Sequence, residues 1–368
     1  MLLGAGHAHL YTIKRAAAFT TRGYELIVIA PDLFWYSGLA TGMLGGFYPS
    51  ELDQVDVAAL AQRSGGRFLF DRAVGLDRRA RRVILEKGAP VSYDALSITV
   101  GSEPPAISGT DAADPRLFSV KPIRRLWDLR CALEQRLTVA PQQQPRVVIA
   151  GGGATACEIA ANIEQLAQRQ RARAEIVVLA AGNEILAQLP RGAARKVEST
   201  LTRRGITFRR NARVERVESG RAITARGPPE AFDFFVNASG LNPAPILRQL
   251  DLPIDAHGAM VVDAHLRSPA DPRIHGAGDC IALEGHPLPR IGVYAIRQAP
   301  VLFANLLAAL GDGEPQCFHP QRRYLWILNL GDGTGLAVRG RLYWRGRMAF
   351  RLKDWIDRRF LREYQDRA

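Results

Sequence analysis

Apolar stretches occur along this chain in two repeated sets. Each set has an apolar start, a glycine-rich turn, a segment rich in β-branched residues, and a last segment that ends in small residues. The first set occupies 1–3, 4–9, 24–30 and 96–105, and the second occupies 147–150, 151–156, 174–180 and 234–245. Short runs of apolar residues bounded by turn residues are typical of buried strands. The repeat therefore predicts an α/β chain built from two related modules.

Helical spacing appears between and after the two modules. Four leucines from Leu126 to Leu137 recur at helical intervals, the polar stretch at 140–145 indicates a linker turn, and an apolar helix is predicted at 293–310. These features set the predicted domains, which are a discontinuous first domain at 1–120 and 245–316, a second domain at 121–244, and a separate C-terminal region at 317–368.

The composition argues against several classes of protein. The four cysteines are scattered without a C-x-x-C pair, which predicts neither a disulfide framework nor a zinc site. The longest apolar run, 301–310, is too short to span a bilayer, and no secretory leader opens the chain. We therefore expect a cytoplasmic protein that reaches the inner face of the cell membrane only by peripheral contact. The formal net charge is +13, yet no nucleic-acid-binding motif accompanies it, so we predict no nucleic-acid partner.

The glycine-rich turn at 151–156 has the context of a dinucleotide site. It follows an apolar strand, with Gly151 and Gly153 in the first two glycine positions and Ala156 in the third. Such a turn lets the backbone approach a pyrophosphate at a helix N-terminus, whose free N–H groups and dipole favour anions. Either copy alone could be an ordinary tight turn, but two copies in matching contexts favour two dinucleotide sites.

The N-terminal copy departs from this pattern. Gly4 and Gly6 occupy the first two glycine positions, but His9 stands in the third. Only three residues precede Gly4, which leaves an upstream start codon open. Neither copy has the acidic residue that usually binds the ribose about 20 residues later. The sequence therefore leaves the choice between NADH and NADPH open.

Several short motifs resemble those of FAD-dependent pyridine nucleotide-disulfide oxidoreductases. They are the two loops, ITVGSEPP at 98–105, VNASGLNP at 236–243 and IHGAGDC at 274–280. The stretches at 6–9, 35–46 and 290–306 are similar to the type II NADH dehydrogenase-like branch, and to the flavoprotein found fused ahead of selenide, water dikinase. The resemblance covers nearly the whole chain. It implies two Rossmann-like domains, with FAD in the discontinuous first domain and NAD(P)H in the second.

The resemblance also implies which residues bind FAD. The first loop would line the pyrophosphate, the segment after Trp35 would approach the flavin ring, and Asp279 would bond the ribityl chain. The predicted contacts are Gly4, Gly6, His7, His9, Tyr36, Ser37, Gly38, Thr99, Gly101, Gly278, Asp279 and Ala295. Asp279 also has a purely structural explanation, because G-A-G-D is good turn chemistry.

By the same resemblance, the second loop holds NAD(P)H. The predicted contacts are Gly151, Gly153, Thr155 and Gly240. Glu158 lies on the helix that begins at the second loop, and it resembles the family glutamate close to nicotinamide and flavin. It is therefore the predicted catalytic residue, with the role of positioning the nicotinamide ring. A surface helix glutamate is the alternative. Hydride transfer from nicotinamide to flavin needs no protein nucleophile, and no metal site is predicted.

The electron acceptor is less clear from the sequence. Segment 35–46 contains no cysteine, so a disulfide relay beside the flavin is disfavoured, and the type II branch suggests a quinone. However, Val293 replaces the first glutamine of that branch's quinone stretch, and Arg297 or Gln298 stands at the second. One alternative is a flavin-binding sensor or partner subunit linked to selenium or sulfur metabolism. A sulfide:quinone reductase is a further alternative, and it would require Cys157 to pair with Cys280 or Cys317.

A basic amphipathic helix is predicted at 347–364. Its apolar face contains Met348, Leu352, Trp355, Ile356, Phe360 and Tyr364. Arginines surround that face, which is typical of a helix that lies on an anionic membrane. Packing on the FAD domain, or on the partner of a homodimer, explains the apolar face equally well.

Overall fold

The computed structural model describes residues 1–111, 113–140, 142–321 and 323–365. The N-terminal part alternates short strands with helices. Its elements are β1 (Leu2–Leu3), α1 (His7–Ile13), α2 (Ala17–Thr20), β2 (Ile27–Ala30), β3 (Phe34–Trp35), α3 (Ala40–Leu44), β4 (Gln54–Val55), α4 (Val57–Arg63), β5 (Arg67–Phe70), β6 (Ala73–Asp77), β7 (Arg82–Leu85), β8 (Val91–Ser92), β9 (Leu96–Ile98) and β10 (Ser102–Glu103).

The middle part repeats the alternation with longer elements. They are β11 (Leu117–Ser119), α5 (Arg124–Val139), β12 (Arg146–Ala150), α6 (Ala154–Arg169), β13 (Glu175–Leu179), α7 (Arg191–Arg203), β14 (Thr207–Arg209), β15 (Val214–Glu218), β16 (Arg221–Thr224), β17 (Glu230–Ala231), β18 (Phe234–Asn237) and β19 (Asn242–Pro243).

The C-terminal part returns to the first module and then adds a new layer. Its elements are β20 (Met260–Val262), β21 (Ile274–Gly276), β22 (Ile281–Leu283), α8 (Gly292–Ala309), β23 (Trp326–Asn329), β24 (Gly335–Arg339), β25 (Leu342–Gly346) and α9 (Arg347–Arg362). Single 3₁₀ turns lie at Ser50–Asp53, Pro245–Gln249 and Gly278–Cys280.

Two five-stranded parallel sheets form the centres of the two modules. The first has the order β21-β9-β1-β2-β5, and the second has the order β11-β18-β12-β13-β14. In both, the strand that precedes the glycine-rich loop, β1 or β12, lies in the middle of the sheet, so the strand order reverses beside it. Their strands are apolar and largely buried, as in β12, because helices cover both faces of such sheets. The predicted α/β class with two Rossmann-like modules is confirmed.

The edge strands show how the chain passes between the modules. β21 comes from beyond the second module and pairs with β9, so the first module is discontinuous in sequence. β11 precedes the boundary drawn at residue 120, yet it pairs with β18, so the second module begins by Leu117. A second link is the antiparallel pair of β10 with β19.

The C-terminal region is not the separate appendage that the sequence suggested. β23, β24 and β25 form an antiparallel sheet, and α9 packs on it. The side-chain amide of Gln365 donates to the carbonyls of Leu52 and Gln54 in the first module, at 2.9 and 2.6 Å. The guanidinium of Arg345 donates to Thr200 of the second module, at 3.0 Å. This layer therefore bridges both modules.

The predicted apolar face of α9 is wrong in part. Met348 and Trp355 are 68% and 56% exposed, whereas Tyr364 is buried. The buried side instead contains Ala349, Asp357 and Leu361. The prediction failed because apolar spacing cannot reveal that a charged residue is buried against partners elsewhere in the chain.

Candidate functional site

The first glycine loop crosses very close to the end of β9. Gly4 has a φ of +84°, and a Cβ at Gly4 or Gly6 would lie 2.7 Å from the carbonyl oxygen of Thr99. The backbone N–H of Gly6 donates to Thr99 Oγ1 at 3.1 Å. Only glycine permits this approach, which leaves the backbone of the loop accessible at the carboxyl ends of the strands, where α/β sheets bind ligands.

His9 lies behind this loop and not at its surface. Its ring is fully buried, with Nδ1 2.6 Å from the Gly4 carbonyl oxygen and Nε2 2.7 Å from Ser97 Oγ. Burial lowers the pKa of His9 to about 3, so the ring is neutral. His9 therefore supports the loop from inside the protein, because both ring nitrogens are engaged there and the ring is fully buried.

His7 faces the other way, into a group of aromatic rings. Its ring lies 4.9 Å from that of Phe34, 5.5 Å from that of Tyr36 and 6.0 Å from that of Phe360 on α9. Burial, and to a lesser extent Lys121, lowers the pKa of His7 to about 4. A neutral His7 therefore lies between the first loop and the predicted flavin-contacting segment.

Asp279 is held by two residues from the crossover between the modules. Its Oδ2 accepts from Lys121 Nζ and from Ser102 Oγ, each at 2.7 Å. Burial alone would raise the pKa of Asp279, but Lys121 and Ser102 outweigh it and keep the pKa below its usual range. Asp279 is thus a largely buried carboxylate at the meeting point of the modules, and more than a turn-capping residue.

The start of α8 packs against the turn that carries Asp279. Gln298 is buried, and its side-chain oxygen accepts from the backbone N–H of Gly278 at 2.7 Å. Buried Ala295 lies beside Gly278. Gln298, considered for the quinone stretch, therefore supports the turn, whereas Arg297 donates to Gln321.

The segment predicted to approach the flavin ring contacts α9. The Tyr36 hydroxyl donates to Asp357 Oδ1 at 2.8 Å, and the Tyr36 ring stacks on Phe360 with centroids 4.9 Å apart. A Cβ at Gly38 would lie 2.7 Å from that same Asp357 oxygen, so glycine is required for this packing. Ser37 is exposed, and Gly101 has a φ of +76° with open space around it.

The second glycine loop has the same construction as the first. Gly151 has a φ of +136°, and a Cβ there would lie 2.2 Å from the carbonyl oxygen of Ala238 at the end of β18. Gly153 precedes α6 without a side-chain cap, which leaves the first N–H groups of this helix free. Thr155 and Gly240 are exposed at the same edge of the sheet. This geometry suits a pyrophosphate.

Glu158 lies where α6 meets the C-terminal layer. Its Oε1 accepts from the backbone N–H of Asn329 at 2.7 Å, and the charge of Lys353 acts on it. Burial raises the pKa of Glu158 to about 7, although Lys353 and Asn329 oppose the rise. The carboxyl can therefore gain or lose a proton near neutral pH, which does not fit a simple surface glutamate.

Sequence reasoning missed several residues of this site. Lys121, Asn329, Lys353 and Asp357 all contact or face the predicted site residues. One signal was present, because Lys353 and Asp357 are an i, i+4 pair in the most basic part of the chain. The partners of the other two residues are too distant in sequence to be inferred from spacing.

The cysteines do not form a redox pair. All four are free, and burial raises the pKa of Cys157 to about 12 and that of Cys280 to about 11. Both therefore remain thiols at neutral pH. Cys317 is exposed, with Sγ 3.3 Å from His265 Nε2. The described residues contain no group of three or more side chains suited to a metal.

The residues present fit two dinucleotides. Each module supplies a loop in which a Cβ would strike the neighbouring strand, and the first adds a buried carboxylate at Asp279, suited to hydroxyl groups. The sequence pattern of the family described as "Pyridine nucleotide-disulphide oxidoreductase" matches residues 1–299. The chain belongs to this family, and FAD and NAD(P)H are its cofactors.

Individual relatives differ in the function for which they are named. The chain is 26% identical to the NADH dehydrogenase-like protein YutJ of Bacillus subtilis over 72% of this chain and 70% of that protein. It is 24% identical to the demethylphylloquinone reductase NdbB of Synechocystis over 85% and 80%, respectively. It is 29% identical to a biphenyl dioxygenase system ferredoxin–NAD(+) reductase component of Paraburkholderia xenovorans over 76% and 67%.

Solved structures share the fold. The sulfide:quinone oxidoreductase of Aquifex aeolicus matches with a TM-score of 0.79 at 17% identity, covering 99% of this chain and 90% of that one. A ferredoxin reductase of Rhodopseudomonas palustris matches with a TM-score of 0.75 at 20% identity, covering 92% and 81%. These structures show the fold alone. The family match and the sequence relatives show that the chain is an FAD-dependent NAD(P)H oxidoreductase, as the sequence motifs implied.

Proposed function

We propose that this oxidoreductase passes electrons from NAD(P)H to a quinone. The observation that carries the proposal is Glu158, a carboxyl with a pKa near 7 that faces Lys353 between the second loop and the C-terminal layer. A quinone takes up protons as well as electrons, whereas some other acceptors take electrons alone. A proton-exchanging group beside the electron route therefore favours a quinone as the acceptor.

We assign the two cofactors to the two loops. FAD is held by the first loop, Asp279 and the segment from Tyr36 to Gly38, and NAD(P)H by Gly151, Gly153, Thr155 and Gly240. When bound, FAD accepts a hydride from the nicotinamide and passes electrons on. In this assignment Glu158 positions the nicotinamide ring and exchanges a proton.

A surface patch on the C-terminal layer supports a lipid-soluble acceptor. Leu342 and Trp344 on β25 are 76% and 44% exposed, and Met348 and Trp355, an i, i+7 pair on α9, are 68% and 56% exposed. Exposed Arg347, Arg351 and Arg359 lie on the same helix. Exposed aromatic and apolar groups among arginines are typical of a surface that rests on an anionic membrane. No helix among the described residues is long and apolar enough to cross a membrane.

Stopped-flow reduction of the FAD-loaded protein tests the proposal. We expect the flavin absorbance to bleach rapidly on anaerobic mixing with NADH or NADPH, and to return when a short-chain ubiquinone or menaquinone is added. A flavin that bleaches only over minutes would favour a sensor or partner subunit. Recovery with a ferredoxin but with no quinone would favour a protein acceptor, such as the ferredoxin of the Paraburkholderia xenovorans relative.

Vesicle binding tests the membrane contact. We expect Met348→Gln and Trp355→Gln together to weaken binding to anionic vesicles, because each change removes an exposed apolar group. Val139→Gln is a matched control, since Val139 is 78% exposed at the end of α5. Equal binding of the double variant and the control would refute the assignment of this surface.

The burial of the cysteines argues against sulfide as the electron donor. Cys157 and Cys280 are both fully buried, and burial keeps both as thiols at neutral pH. Sulfide oxidation through a cysteine pair requires an accessible thiolate.

A further inference from the structure

Asp53 is a fully buried carboxyl whose two oxygens have no hydrogen-bond partner among the described residues. It ends the 3₁₀ turn Ser50–Asp53, immediately before β4. Burial raises the pKa of Asp53 well above its usual range, and Asp357 adds to the rise while Lys353 opposes it. Burial therefore favours the protonated form of this side chain.

Two more buried polar atoms near Asp53 lack partners in the described part of the chain. They are the indole Nε1 of Trp35 and the side-chain Oε1 of Gln365. Trp35 pairs with Gln54 in the β3–β4 ladder, and the amide of Gln365 donates to the carbonyls on either side of Asp53. Buried polar atoms are normally hydrogen-bonded, and ordered water binds those that lack a partner in the protein.

Solvent lies close to this group. A cleft of about 780 Å³ is lined by Leu52 and Gln54, the two neighbours of Asp53, and also by Gln365. Glu51 and Asp56 line the same cleft, so its wall is polar enough to hold water.

Asp357 links this group of buried polar atoms to the predicted flavin-contacting segment. It accepts from the Tyr36 hydroxyl through Oδ1, at 2.8 Å, and from Lys353 Nζ through Oδ2, at 2.6 Å. Lys353 also donates to the carbonyl of Gly38. Asp53, Asp357 and Glu158 all act electrostatically on Lys353. Three buried or half-buried carboxyls sharing one lysine favour retention of a proton within the group.

The proposed reaction consumes such a proton, and this inference rests on that proposed function. NAD(P)H, a quinone and one proton give NAD(P)⁺ and a quinol, so the hydride supplies both electrons and one hydrogen. The second hydrogen must come from solvent. Because Tyr36 is buried and Asp357 lies on the buried side of α9, the proton needs a route through polar groups.

We propose that Asp53 holds the proton that replenishes the acceptor site, on a route from the cleft through bridging water to Asp357 and Tyr36. Asp53 acts through these groups without touching the acceptor, and is a positioning residue for proton supply. Removal of its carboxyl slows the proton-requiring half of turnover and leaves electron entry from NAD(P)H intact.

The test compares FAD-loaded wild type with Asp53→Asn, which keeps the size of the side chain. Glu25→Gln is the carboxyl-to-amide control, because the Glu25 side chain is 55% exposed. We expect quinone turnover of Asp53→Asn to fall about tenfold or more, with a larger solvent deuterium isotope effect. Turnover with ferricyanide, which takes electrons only, should be unchanged. Equal loss with both acceptors, or no loss with either, would overturn the inference.

An infrared measurement gives a readout independent of the acceptor. In the Glu158→Gln background, which removes the other carboxyl that is partly protonated near neutral pH, we expect the FAD-loaded protein and its Glu25→Gln variant to show a protonated-carboxyl band that shifts in D₂O. This band should be absent after Asp53→Asn. A band that survives in Asp53→Asn overturns the inference alone. A wild type that reduces ferricyanide but no quinone overturns the proposed function, and with it the supply role of Asp53.

Discussion

Replacing Glu158 by glutamine probes the point where the two modules and the C-terminal layer meet. The pKa of this carboxyl is raised from 4.5 to about 7, chiefly by burial. One pKa unit corresponds to about 1.4 kcal/mol, so the carboxylate is about 3 kcal/mol less favourable here than in the unfolded chain. Glutamine has nearly the same shape and still accepts the hydrogen bond from Asn329.

The sign of the pH dependence follows from the raised pKa. Below about pH 4.5 the carboxyl is neutral in both the folded and the unfolded chain, and burial carries no penalty. Between about pH 4.5 and 7 the unfolded chain ionises while the folded chain does not, so stability is progressively lost. Above the folded pKa, we expect the free energy of unfolding of wild type to have fallen by about 3 kcal/mol relative to Glu158→Gln.

Urea unfolding of both FAD-loaded proteins, in steps between about pH 4.5 and 9, measures this difference. Glu184→Gln is the control, because Glu184 is 60% exposed in the same module. The rate of flavin reduction by NAD(P)H, recorded over the same range, should change near pH 7 in wild type and lose that change in Glu158→Gln. A stability difference that is constant with pH would refute the raised pKa.

Three further changes test other parts of the site. Gly151→Ala should lower the free energy of unfolding by about 3 kcal/mol and abolish NAD(P)H binding, because its Cβ would lie 2.2 Å from the Ala238 oxygen. Gly182→Ala is the control and should do neither, because no atom lies within 4 Å of its Cβ position. Equal behaviour of the two variants would contradict this prediction. Lys121→Met should cost about 3 kcal/mol by leaving Asp279 buried without its cation, and adding Asp279→Asn should recover more than half, as measured by urea unfolding. Cys157→Ala should leave NAD(P)H oxidation unchanged, whereas lost turnover would favour cysteine chemistry.

The dinucleotide loops could be predicted because their signal is local. Gly4 and Gly151 each follow an apolar strand and precede a helix within a few residues, and the structure gives both a positive φ that glycine alone adopts readily. The first loop also shows the limit of a pattern. His9 occupies a fingerprint position, yet its ring turns into the core because Gly4, Ser97 and Thr99 offer hydrogen bonds there.

The rest of the site depends on contacts between distant parts of the chain. Glu158 and Asn329 meet across 171 positions, and Tyr36 and Asp357 across 321. Spacing on α9 placed Trp355 on the predicted apolar face and gave no role to Asp357. In the structure the hydrogen-bonded Asp357 is buried, whereas Trp355 faces outward.

During synthesis of the chain, β21 is made long after the other strands of its sheet. β9 is complete at Ile98, but its outer neighbour begins only at Ile274. At about 5 to 20 residues per second, a ribosome needs roughly ten to thirty-five seconds to cover that interval. The N-terminal sheet therefore waits with one edge unpaired, whereas all strands of the second sheet emerge in an uninterrupted stretch. We expect the second module to complete its sheet first in the cell, although its first residue is made later, and the nascent N-terminal module to need protection at its open edge.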